Sequence, residues 1–153
     1  MNKLNVYLAG PWFYGDQPEK LSKVEALLDS YDMLDVFSPR RESLVTPDST
    51  MSKRTQTFEG NVEHVRDADF IVALVDDSDK GTLFECGLAY AFDVPILYYC
   101  ETAQKKPFNL MLAESCTALG YVTSLEELKQ RIDKIVRIGP WRMCEGAFKG
   151  VVE

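Results

Sequence analysis

The chain has 153 residues, 46% hydrophobic and 27% charged, proportions that fit one globular domain (1–153) with a core of its own. Its net charge of −7 argues against a protein that grips DNA or RNA backbone, so no nucleic-acid polymer is expected as partner. Phosphate-free nucleosides stay open as ligands.

The opening segment, MNKLNVYLAGPWF, lacks the apolar run of a signal peptide, and no stretch approaches the roughly 18 apolar residues of a membrane-spanning helix. Cys86, Cys100, Cys116 and Cys144 are widely spaced and form no C-x-x-C pair. With a single histidine in the chain, no metal site is expected, and a reducing cytoplasm is the simplest setting.

In chain order, residues 4–10 read as a first strand ending at Gly10-Pro11. A helix over 17–30 puts Leu21, Val24, Leu27 and Leu28 on one face, and a second strand over 34–39 is stopped by Pro39. Residues 40–52 are polar and read as a loop; helix period returns with Phe58, Val62 and Val65. The run DFIVALV (69–75) suits a strand buried on both faces. A helix over 82–92 and a strand over 94–100 follow, then a helix from Pro107 and another over 124–136, opened by a Ser124/Glu127 capping box. The tail has no clean period. Strands alternating with helices predict a doubly wound, flavodoxin-like or Rossmann-like α/β fold with a five-stranded parallel sheet and helices on both faces. Ligands of such sheets bind beyond the carboxyl ends of the strands, near the switch in strand order.

Those ends carry most of the residues of chemical interest. VDDSDKGTLFECG gathers Asp76, Asp77, Asp79 and Glu85 at one strand–helix junction. Thr82 and Glu85 have the spacing of a capping box, a purely structural role. Glu85 equally suits a nucleophile at the mouth of a pocket, and a helix N-terminus favours the ionised form that a nucleophile needs. Asp79, six residues earlier across the Gly81 turn, is the candidate partner for managing a leaving group's proton. Trp12, Phe13 and Tyr14 either stack on a planar base or belong to the core. Asn61 borders the buried face of its helix, whereas His64 falls one position off it and receives no role. Arg40 and Arg41 either meet a phosphate or are simply solvated. Neither G-x-G-x-x-G nor a P-loop occurs, so dinucleotide and nucleoside triphosphate sites have no support.

Taken together, YLAGPWF (7–13), FSPR (37–40), NVEHVRDADFIVA (61–73), DKGTLFECGLAYA (79–91) and KPFNLM (106–111) resemble the nucleoside 2-deoxyribosyltransferase family. The resemblance implies exchange of bases on 2-deoxyribose through a covalent deoxyribosyl-enzyme, without cofactor. It makes Glu85 the nucleophile, Asp79 the residue that contacts the base and assists its protonation, and Tyr7 the residue that orients Glu85. Asn61 matches a base-side position, and Gly10, Gly81, Trp12 and Phe13 fall among the substrate-binding segments. Asn109 and Met111 match residues lent to a neighbouring subunit's pocket, which implies a homo-oligomer, a dimer or a hexamer built from dimers. In this reading Thr82 is the N-cap of the Glu85 helix.

Two departures from the family pattern stand out. Some members bring a terminal carboxylate to the active site shortly after an E-G-A piece, but here EGAFKGVVE runs on past it. Related nucleotide N-hydrolases carry a G-S-I-R-like, phosphate-holding turn after the first strand; AGPWFYG stands in its place and favours a nucleoside over a monophosphate. The alternatives are an N-glycosidase using the same site on a nucleoside or deoxynucleoside monophosphate, and a nucleotide-binding module without turnover.

Overall fold

Side chains alternate along β1 (Leu4–Ala9): Val6 and Leu8 enter one apolar cluster, Tyr7 and Ala9 the other. A strand with both faces buried must lie inside a sheet, and β1 pairs in parallel with β2 (Leu34–Phe37) on one side and β3 (Phe70–Leu74) on the other. With β4 (Ile96–Tyr99) and β5 (Tyr121–Val122) the order is β2-β1-β3-β4-β5, all parallel, the flavodoxin-like arrangement. The computed structural model describes residues 2–42, 44–116, 118–143 and 148–153; Cys144 and the EGA piece lie outside them.

One face of the sheet is covered by α1 (Gln17–Asp29) and α6 (Leu125–Ile138). Their Leu21, Leu28, Leu128, Ile132 and Ile135 pack on Val6, Leu8, Phe70, Val72 and Leu97. The other face is covered by α3 (Met51–Asp67), α4 (Lys80–Ala91) and α5 (Leu110–Ser115), which bring Val65, Cys86, Ala89 and Ala113 against Tyr7, Ala9, Ile71, Ala73 and Tyr98. The switch in strand order falls between β1 and β3, so their carboxyl ends frame the expected crevice.

Several boundaries differ from the sequence expectation. The polar stretch 40–52 is not all loop: α2 (Pro39–Glu42) occupies its start, and α3 begins at Met51 because Thr50 Oγ1 accepts a hydrogen bond from Lys53 N at 3.2 Å. Phe58, expected inward, is 55% exposed and meets Phe84 of α4, the ring centroids 6.1 Å apart and the planes tilted by 45°. The helix expected from Pro107 starts at Leu110, capped by Asn109. At α6, Ser124 Oγ accepts from Glu127 N, but Glu127 Oε2 reaches Thr123 N rather than the Ser124 amide.

Arg40 and Arg41 are engaged in ion pairs rather than free in a loop. Both pair with Glu25, a buried carboxylate on the inner face of α1, and Arg41 also holds Asp29. Ser38 Oγ adds a hydrogen bond to Glu25 Oε1 at 2.7 Å. Burial pushes the Glu25 carboxyl up, but the hydrogen bonds from Arg40 and Ser38 and the charges of both arginines outweigh it and hold it below the usual range. Glu25→Ala is expected to cost about 2–3 kcal/mol at neutral pH, because it strands a partly buried guanidinium. A folded pKa that is depressed stabilises above the unfolded value and is lost as pH falls through the folded one. The deficit of the variant in urea unfolding should therefore shrink in acid.

Candidate active site

Tyr7 lies at the middle of β1, wholly buried on the face that α4 covers, with its ring stacked on Phe37 at 5.6 Å. Its Oη donates a hydrogen bond to Glu85 Oε1 at 2.6 Å, a short, charge-assisted distance. Glu85 is half-buried in the second turn of α4. Its carboxyl is pushed up to about 7: burial is the largest cause, the Tyr7 hydroxyl opposes it, and the charge of Asp79 adds to it. The expected stabilisation by the helix N-terminus is thus overridden, since Glu85 sits beyond the first turn, where the dipole acts most. Tyr7 is driven well above its ordinary range by burial and then by Glu85, so it stays protonated and remains the donor.

The cap of α4 is Asp79, not Thr82. Asp79 Oδ2 accepts from Thr82 N at 2.9 Å and from Thr82 Oγ1 at 3.0 Å, and the helix starts at Lys80. Thr82 is the third residue of the helix, and the side chain of Glu85 goes to Tyr7, so no capping box forms between them. Gly81 consequently lies in the first helical turn rather than in a turn before it; a Cβ there would come within 3.2 Å of Asp79 Oδ2. Gly10 is buried, and a Cβ on it would meet Leu21 Cδ1 at 3.0 Å and Leu74 Cβ at 3.2 Å, tight contacts that α1 and β3 would have to give by a few tenths of an ångström to accommodate.

Each remaining acid of the junction has a partner. Asp76 accepts from Glu101 N, Thr102 N and Thr102 Oγ1, which ties the end of β3 to the end of β4. Asp77 Oδ2 accepts from Gln17 Nε2 at 3.1 Å. Trp12 is half-buried against the α1–α6 core, while Phe13 and Tyr14 are 57% and 78% exposed beside it. Asn61 is half-buried on α3, one turn before Val65. His64 stacks on Phe37 at 3.7 Å and its Nδ1 is 2.7 Å from Gly60 O, which accounts for it structurally. Cys86, next to Glu85, is buried and its thiol is pushed up to about 12, so it stays a protonated, unreactive thiol. Phe37, between Tyr7 and His64, escaped the sequence reading; its place in the FSPR piece was the available signal.

Asn109 and Met111 do not join this group. They line a cleft of about 670 Å³ whose α4 wall is Leu83, Cys86, Gly87 and Tyr90, the helix face turned away from Glu85. Asn109 Oδ1 accepts from Met111 N at 3.0 Å, and Met111 is 76% exposed. The tail reinforces this segment: Phe108 N donates to Val151 O at 2.8 Å and Leu110 N to Glu153 O at 3.0 Å. Among the described residues, no helix is long and apolar enough to cross a membrane.

The sequence profile described as nucleoside 2-deoxyribosyltransferase matches residues 6–128, a span that holds Tyr7, Asp79, Glu85 and Met111. The chain belongs to the nucleoside 2-deoxyribosyltransferase family. A solved 2-deoxyribosyltransferase from the psychrotolerant bacterium Bacillus psychrosaccharolyticus is 30% identical, with a TM-score of 0.73 over 82% of this chain and 90% of that one. A conserved protein of Enterococcus faecalis superposes with a TM-score of 0.73 at 21% identity, over 86% of this chain and 98% of that one. A CMP N-glycosidase of Clostridium botulinum gives 0.59 at 16% identity, over 84% and 98%. These last two share the fold of the deoxyribosyltransferase family. No curated protein matches the chain.

Proposed function

We propose that the protein exchanges the base of a 2′-deoxynucleoside for a free purine or pyrimidine base, through a covalent deoxyribosyl ester on Glu85. The observation that carries this reading is the half-buried carboxylate aligned by the Tyr7 hydroxyl, in the second turn of the helix that Asp79 caps. Glu85 attacks C1′ as the C1′–N bond breaks. The electron pair of that bond goes to the departing base, which Asp79 and Asn61 hold and help to protonate. The nitrogen of the incoming base, giving up its proton to Asp79, then attacks C1′ from the face that the first base left, opposite the Glu85 ester, displaces the carboxylate and gives retained configuration with ping-pong kinetics. The anomeric carbon has oxocarbenium character in both steps, and the adjacent negative charge stabilises it.

Ion pairs that occupy Arg40 and Arg41 support a nucleoside over a monophosphate. The outward placement of Asn109 and Met111 supports their being lent to a neighbouring subunit. In this reading the protein is a cofactor-independent homo-oligomer that salvages deoxynucleosides in the cytoplasm.

Incubation of deoxyinosine with free adenine should yield deoxyadenosine, with hypoxanthine release accelerated by adenine. Equal release with and without adenine, and no deoxyadenosine, would make the protein an N-glycosidase. A deoxyribosyl adduct on the peptide containing Glu85, trapped by acid quench, excludes a module that only binds. Asp79→Asn provides a second check. Asparagine caps helices as well as aspartate, so stability should stay within about 0.5 kcal/mol, while transfer falls roughly 10²-fold or more through loss of the proton-managing group.

A further inference from the structure

The aromatic loop after β1 and the Asp76–Asp79 turn after β3 lie on the two sides of the switch point, and a single side chain joins them. Gln17, the first residue of α1, is half-buried. Its Oε1 accepts from Phe13 N at 3.0 Å and from Tyr14 N at 3.1 Å, and its Nε2 donates to Asp77 Oδ2 at 3.1 Å. The amide therefore satisfies two backbone donors of one loop and a carboxylate of the other, across 60 positions of sequence. A carboxylate at 17 could accept from the loop but not donate to Asp77, and an ammonium could do only the reverse. Gly15, at φ 57°, turns the loop back toward Gln17 just after Tyr14. On the other side, Asp77 lies two residues before Asp79, the cap of the Glu85 helix.

We propose that Gln17 is a positioning residue of the base-binding side of the site, holding the Phe13–Tyr14 loop at a set distance from the Asp77–Asp79 turn. The inference rests on the base-exchange reading, joined to the sequence expectation that the aromatic loop stacks on the base that Asp79 contacts. Gln17 touches no reacting atom, so its loss should weaken nucleoside binding and leave the chemical step nearly intact.

The test is a double-mutant cycle on the full chain. KM and kcat for deoxyinosine–adenine exchange are measured, and the deoxyinosine Kd is obtained by calorimetry in an Glu85→Gln background. Gln17→Glu keeps both loop bonds but sets two carboxylates against each other; KM and Kd should rise about tenfold, with kcat changed less than about threefold. Adding Asp77→Asn supplies a donor to the new carboxylate and should return both constants to within about threefold of wild type. Gln17→Met should show a similar rise that Asp77→Asn does not relieve, which separates the bond from the change in charge. An unaltered KM and Kd in Gln17→Glu overturns the proposal, as does a rise that Asp77→Asn leaves in place. If the wild type binds deoxyinosine without exchanging bases, the base-exchange reading fails while the Kd cycle still decides the role of Gln17.

Discussion

Glu85→Gln is expected to abolish the proposed base exchange and, at the same pH, to make the protein more stable. The first effect follows from the proposed role of Glu85 as covalent nucleophile: transfer should fall roughly 10⁴-fold or more, and the deoxyribosyl adduct should vanish. The second follows from burial. In the folded protein the Glu85 carboxyl is held at about 7, against an ordinary value of about 4.5. Between those values the folded state binds more protons than the unfolded one, so stability falls as pH rises through that window. Glutamine carries no such penalty and still accepts the hydrogen bond of Tyr7. The variant should match wild type near pH 4.5 and gain steadily, up to about 3 kcal/mol, above pH 7. Chemical unfolding of both proteins at a series of pH values measures the gap. A gap that stays constant with pH would show that burial does not set the ionisation of Glu85, and surviving turnover would remove Glu85 from the chemistry.

Tyr7→Phe should separate ionisation from orientation. Wild-type activity is expected to rise with pH through about 7, as Glu85 takes the ionised form that the proposed attack requires. The Tyr7 hydroxyl is the group that lowers the Glu85 pKa, and its bond of 2.6 Å is of the strong, charge-assisted kind. Without it the acid limb of the kcat/KM profile should move up by about one unit or more. At pH well above the shifted limb, the loss should shrink to the orientational part, on the order of tenfold. A profile that drops uniformly, with its midpoint unmoved, would mean that the hydroxyl does not act through the charge on Glu85.

Local pattern was sufficient for a good part of this description. Alternating strand and helix periods specified the α/β class, and the nearly unbroken apolar run DFIVALV (69–75) marked the strand that the structure centres in the sheet. The order of motifs along the chain carried the family, because spacing within a junction such as DKGTLFECG is a property of neighbours. Cap identity was harder: Thr82 and Asp79 both have cap chemistry, and the choice fell to Asp79 because its carboxylate takes both the Thr82 amide and the Thr82 hydroxyl. Arg40 and Arg41 read as loop cations because nothing local to them shows that Glu25, on another element, is buried and needs charge.

By itself, then, the sequence determined the fold class, the family and the segments that meet at the strand ends, since each depends on periodicity or on residues close in the chain. Tertiary structure decided what each acidic side chain does. Glu85 finds Tyr7 across 78 positions, Asp77 finds Gln17 across 60, and Asp76 finds Thr102 across 26. Burial then raises the Glu85 carboxyl toward neutrality, an effect of the low dielectric around it rather than of the residues beside it in the chain. Long-range hydrogen bonds and desolvation arise only once the sheet is assembled, and they turn an ambiguous glutamate into a half-buried, aligned carboxylate.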